Sequence, residues 1–163
     1  IEDEKKAGWE REVTIQDTIG YNKLKMLTAF IMTIPGIPII YYADEIGMVG
    51  AGDPDNRRPM IFDKLNSYQQ DVKKNAQTLL HLRKSKLSLL YGEFNLLELS
   101  DQIYVYERNY LNQKTIVLFN KGFESVNINL NGDLSTFKQH FNSKINDNTV
   151  TLSPYSFEIL TLN

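Results

Sequence analysis

Ile34-Pro35-Gly36-Ile37-Pro38-Ile39-Ile40-Tyr41-Tyr42-Ala43-Asp44-Glu45 is the stretch whose reading decides the fold. From Ile37 to Tyr42 the residues are apolar without alternation, which predicts a strand buried on both faces. Such a strand belongs to a parallel sheet covered by helices. Pro38 is acceptable there, because the first residues of a strand can spare an N–H. Burial of Ile39 and Ile40 is expected to contribute about 1.5–3 kcal/mol each. Upstream, Leu24, Leu27, Ile31 and Ile34 fall at helical spacing, with Met26 and Phe30 beside them. Pro35-Gly36 then ends the helix predicted over residues 23–34, since proline disfavours α geometry in the residue before it. The reading is a βα unit.

Downstream, Ser67-Tyr68-Gln69-Gln70 has the Ser-x-x-Gln form of a capping box. Val72, Ala76, Leu79 and Leu80 mark one face of the helix that follows. Arg83, Lys84 and Lys86 suit the negative C-terminal end of its dipole. After Tyr91-Gly92 the period changes to two. Strands are predicted at residues 93–99, 103–110, 114–120, 125–130 and 156–162, with weaker signals at 137–141 and 149–152. Val126-Asn127-Ile128-Asn129-Leu130 alternates strictly, so one face points inward and the other to water. Asn131-Gly132 supplies the positive φ angles of a tight hairpin turn. The fold class is an α+β composite: a β/α segment over residues 1–90, then an antiparallel β-sandwich over 91–163.

Composition narrows the function classes. The 163 residues are 42% hydrophobic and 23% charged, with a formal net charge of −2. That balance offers no basic face for nucleic acid. With no cysteine, disulfides and thiolate metal sites are excluded. The longest apolar stretch, residues 37–42, is far short of the roughly 20 residues of a membrane span. The opening Ile1-Glu2-Asp3-Glu4 has no initiator Met, as expected of a processed chain or an excised segment. His81 and His140, the only histidines, are too few for a multi-histidine metal site and read as surface or capping residues.

The run from Ile34 to Met48 resembles the eighth strand and following loop of the α-amylase-family barrel. Gly52-Asp53-Pro54-Asp55-Asn56-Arg57-Arg58-Pro59-Met60 resembles the next loop of neopullulanase- and cyclomaltodextrinase-like members. Leu79-Leu80-His81-Leu82-Arg83-Lys84, followed by Leu89-Leu90-Tyr91-Gly92-Glu93-Phe94, is similar to the last barrel helix entering the C-terminal domain. Val105-Tyr106-Glu107-Arg108 and Pro154-Tyr155-Ser156-Phe157-Glu158-Ile159-Leu160 are similar to strands of that domain. Ala43 stands where the family usually has glycine. The resemblance implies the C-terminal part of a (β/α)8 barrel plus a β-sandwich. It also implies a retaining mechanism with two carboxyl groups about 5–5.5 Å apart. It implies an α-glucan oligosaccharide as partner and no organic cofactor. The family's nucleophilic Asp, acid/base Glu and supporting Asp follow earlier barrel strands. Neither Asn-His-Asp nor Gly-x-Arg-x-Asp occurs here, so no catalytic residue is assigned and the chain alone is expected to be inactive. The other reading is a non-catalytic structural or carbohydrate-binding sandwich module. Apolar barrel surface without neighbours is expected to be hidden by dimerisation, or by disorder near residues 1–22.

Within that resemblance, Asp53, Asp55, Arg57 and Arg58 are the substrate-cleft candidates. Carboxylates and guanidinium groups are natural partners for dense sugar hydroxyls. A loop-internal Asp–Arg network that only fixes the loop is the equal alternative. Tyr42 joins the candidates as a ring able to stack on sugar, whereas Tyr41 reads as packing and Trp9 as a contact for barrel parts. Asp44 and Glu45 imitate a catalytic pair but are expected to orient the loop. The Asp-x-Asp spacing lacks the oxygen ligands and terminal Glu of a calcium loop. The tyrosines of residues 103–110 suit either strand propensity or a carbohydrate-binding face.

Overall fold

The computed structural model describes residues 3–11 and 13–162. Helices come first: α1 (Glu4–Glu10), α2 (Ile19–Thr33), α3 (Ser67–Ser85) and the short α4 (Leu87–Tyr91). Eight strands follow: β1 (Glu93–Leu99), β2 (Ile103–Tyr110), β3 (Gln113–Asn120), β4 (Val126–Asn129), β5 (Lys138–Gln139), β6 (Lys144–Asn146), β7 (Thr149–Leu152) and β8 (Ser156–Leu162). One antiparallel sheet has the order β1-β2-β3-β8-β5 and the second the order β4-β7-β6. The result is helices followed by an antiparallel sandwich, stacked as three layers.

The five-stranded sheet is the middle layer, and alternation along its strands sends side chains to two different cores. Val105, Ile116, Leu118 and Leu160 face the small sheet, where they meet Ile128, Leu130, Val150 and Leu152. Tyr106, Val117, Phe119, Phe157 and Ile159 face the other way, onto Ala29 and Met32 of α2, Leu79 and Leu82 of α3, and Leu89 of α4. Because both faces are covered, β3 is buried from Thr115 to Asn120 and shows no polar alternation. The outer sheet keeps the predicted alternation. Ile128 points inward, while Asn127 and Asn129 accept hydrogen bonds from the hydroxyls of Thr151 (2.8 Å) and Thr149 (2.7 Å). Tyr104 and Tyr106 pack against the helices, so the tyrosines of β2 form no open binding face.

The helix ends show why the chain turns where it does. Asn66, not Ser67, caps α3. Its side-chain oxygen accepts from the Gln69 amide (2.9 Å), and the Asn66 amide in turn donates to the Gln69 side-chain oxygen (3.1 Å). The C-terminus of α2 is held by two buried arginines. Arg83 donates to the carbonyls of Met32, Ile34 and Gly36. Arg108 donates to Thr33 O (2.7 Å) and, through two nitrogens, to Gly92 O (2.8 and 3.1 Å). Arg83 was expected to serve the end of its own helix; instead it serves the carbonyl end of α2, which its place on α3 brings within reach. Both charges sit where the helix dipole is negative. The Tyr106 hydroxyl meets Thr33 Oγ1 at 2.5 Å beside them, and burial pushes that phenol's pKa well up. Gly92 is required by close approach: a Cβ there would collide with the carbonyl oxygen of Ser88.

Residues 37–42 form no strand. Ile37 is 91% and Ile39 77% exposed, so the burial expected for Ile39 is not realised in this chain. A strand fills its N–H and C=O groups only against a neighbour, and no described residue pairs with this segment. Only Ile40 reaches the core, packing at its edge. Asn131-Gly132, with Gly132 at φ 103°, makes a turn but not a hairpin, since it leads from β4 to β5 in the other sheet. Over residues 1–22, where dimerisation or disorder is the expectation, the described residues hold α1 and the first turn of α2. Residues 1, 2 and 12 lie outside the described residues.

Candidate functional site

The chain leaves the arginine clamp at residue 36 and reaches a loop cluster that brings all five sequence candidates together. Ala43 turns it, at φ 72° in the left-handed region, which accounts for glycine being the expected residue there. The Ala43 carbonyl accepts from the amides of Ile46 (3.2 Å) and Met48 (3.1 Å), closing a single 3₁₀ turn over Asp44–Ile46. A second 3₁₀ turn spans Asp55–Arg57. Helix α1 packs on it through Gly8, where any Cβ would strike the Asp55 side chain.

Asp55 and Arg58 face inward and hold each other by two hydrogen bonds. Arg58 Nε donates to Oδ1 (2.8 Å) and Nη2 to Oδ2 (2.7 Å). Asp55 Oδ2 also accepts from the Ala51 amide at 2.7 Å. The Arg58 hydrogen bonds and then that amide hold the Asp55 carboxyl below the usual carboxylate range. The Tyr42 hydroxyl donates to Arg58 O at 3.1 Å, and its ring sits 4.7 Å from that of Tyr41. Burial, with Tyr41 next to it, raises the Tyr42 phenol, while the Arg57 charge opposes the rise. Asp53 and Arg57 behave differently: they pair at 2.7 Å with side chains 52% and 66% exposed. The outward pair is exposed to solvent; the inward pair is tied into the loop.

Asp44 and Glu45 lie on the first 3₁₀ turn, which packs against α3. Burial, and then the neighbouring Glu45 charge, raise the Asp44 carboxyl above its ordinary value. Glu45 Oε2 is buried without a hydrogen-bond partner among the described residues. Successive residues on one turn project apart, so their side chains form no opposed pair. Among the described residues, no group of three or more metal-ligating side chains comes together. No helix of the described residues is long and apolar enough to cross a membrane. Trp9 is 77% exposed on α1.

Sequence reasoning overlooked Glu158. This carboxylate is fully buried on β8, and no ion pair to it is found among the described residues. It accepts from the amides of His140 (3.0 Å), Phe141 (2.8 Å), Ser143 (3.0 Å) and Ile159 (2.9 Å). The Gln139 side chain (2.9 Å) and the Ser143 hydroxyl (2.8 Å) complete its shell. His140 is not a free surface group: its Nε2 meets Thr161 Oγ1 at 2.9 Å. Burial, helped by Lys138, depresses its pKa. An acidic residue within an apolar strand, as in Phe157-Glu158-Ile159, was the available signal.

No family model matches the chain. It is 34% identical over 109 residues to a cyclomaltodextrinase of Thermoanaerobacter pseudethanolicus, a match covering 67% of this chain and 19% of that enzyme. An α-amylase of Anoxybacillus superposes with a TM-score of 0.72 at 28% identity, over 86% of this chain and 32% of that one. The α-amylase of Geobacillus thermoleovorans, solved with acarbose, superposes with a TM-score of 0.69 at 28% identity, over 90% of this chain and 34% of that one. The chain therefore spans between about a fifth and a third of the relatives it matches. By sequence and by fold it is related to the α-glucan-acting glycoside hydrolases of the α-amylase family, of which it corresponds to a part.

Proposed function

We propose that these residues serve, within a longer enzyme, as the non-catalytic rim and sandwich of a retaining α-glucan hydrolase or transglycosylase. The supporting observation is the outward Asp53–Arg57 pair beside Tyr42, on a loop held by the inward Asp55–Arg58 pair. Exposed donors and acceptors next to an aromatic ring suit a sugar chain, and the fixed loop keeps them in register. The reacting carboxylates come from segments outside these 163 residues. In the full-length enzyme, Asp53→Ala and Arg57→Ala should each raise KM for maltooligosaccharides about 3- to 30-fold, leaving kcat nearly unchanged. An unchanged KM for both would leave Asp53 and Arg57 as loop residues only.

The apolar face carried by Ile37, Ile39, Tyr41 and Phe62 belongs to the same reading. Its partner is the neighbouring strand that residues 37–42 lack here. In the isolated chain, the same face is free to bind a second copy. Sedimentation equilibrium is expected to show reversible dimers at high concentration, and a monomer throughout would refute this.

A further inference from the structure

A cleft of about 350 Å³ lies between α2, α3 and the β7–β8 turn, and it shares no residue with the rim loop. Amides of Asn22, Asn75 and Asn142 line it, and the side-chain oxygen of Asn75 is buried with no hydrogen-bond partner among the described residues. Each amide offers an acceptor oxygen and two donor hydrogens without carrying charge. The oxygen of Asn75 is buried and unpartnered, so its amide can turn to a ligand without giving up an internal bond. Lys25 and Asp71 in the cleft's lining pair at 2.6 Å, and Lys74 is a further cation there.

The backbone of the same cleft is held in uncommon conformations. Asn142 at φ 56° and Tyr155 at φ 47° are both left-handed, and for a residue as bulky as tyrosine this is a true outlier. Such strain persists where surrounding structure enforces it, and it clusters at ligand sites. Here the Tyr155 amide is tied to Gly122 O at 3.1 Å, and Lys23 lies 5.0 Å from the centre of its ring. The ring of Phe141 adds a second apolar wall. Neutral amides beside aromatic rings, with Lys74 as one further donor, match a hydroxyl-rich neutral molecule. An anion site would instead be built from paired guanidinium or ammonium groups.

We propose that this cleft is a binding site for a neutral oligosaccharide, separate from the rim loop. Using α-linked glucose as the probe rests on the functional reading above. Titration of the 163-residue chain with maltotriose, followed by calorimetry or amide chemical shifts, should show saturable binding. Asn75→Ala and Asn142→Gly should each weaken it about tenfold, the effect of losing one ligand hydrogen bond. Asn142→Gly keeps the left-handed backbone, so it protects the test if Asn75→Ala disturbs folding. Asn127→Ala, on the exposed face of the small outer sheet, should leave this binding unchanged. Three results would overturn the site: no saturable binding; binding lost with Asp53→Ala but kept with Asn75→Ala; or sulfate occupying the cleft in preference to the sugar.

Discussion

Replacing Arg108 by alanine is expected to lower the unfolding free energy of this chain by about 3–5 kcal/mol. The side chain is 1% exposed, and its three nitrogens serve the carbonyls of Thr33 and Gly92. Removal leaves both carbonyls buried without donors, and each such loss costs about 1–3 kcal/mol. Lost packing adds to this, because the long stem lies inside the contact between α2 and β2. Neither Arg108 nor Arg83 has a carboxylate partner among the described residues, so carbonyls at the end of α2 and that of Gly92 compensate two buried charges. Arg108→Lys should recover little, since one ammonium cannot reproduce the fork that spans both carbonyls. Urea denaturation measures the change, and a loss below about 1 kcal/mol would mean the clamp is replaceable.

Glu158→Gln is expected to cost about 2–4 kcal/mol although it changes a single atom. All six groups that surround the carboxylate donate hydrogen bonds. An amide places an NH₂ donor against them, which leaves several buried donors unpaired. The segment between β5 and β6 is tied to β8 by the hydrogen bonds of this side chain, with the His140–Thr161 bond and the Phe141–Phe157 ring contact beside them. It should therefore open first, seen as faster amide exchange at Phe141 and Ser143. Unchanged protection at those amides would show that the segment is held by other contacts.

Much of the sandwich was legible, because strand signals are local. Strands β1, β2, β7 and β8 begin and end where the alternation and turn residues put them. The three residues of β6 and the five of α4 are too short to show a period, and α1 is mostly charged. The capping box shifted by one position because Asn66 and Ser67 are both good caps, and Gln69 lies three residues after the first. Segment 37–42 was misread for a different reason: its pattern describes burial that only a neighbouring strand can supply. Asn131-Gly132 promised a hairpin, yet which strand comes next in a sheet is a tertiary matter. At the candidate site, residue types identified the loop. They did not reveal that Asp55 and Arg58 turn inward while Asp53 and Arg57 turn out. That division depends on the Ala51 amide and on α1 packing through Gly8, which lies far from the motif in sequence.

A structure of the full-length enzyme with maltoheptaose bound tests the account most directly. Sugar hydroxyls should lie within about 3 Å of Asp53 or Arg57, beside the Tyr42 ring. In the same structure, residues 37–42 should pair with a neighbouring strand. A sugar chain that leaves all three side chains untouched, with residues 37–42 still unpaired, would contradict the assignment of this loop to the substrate cleft.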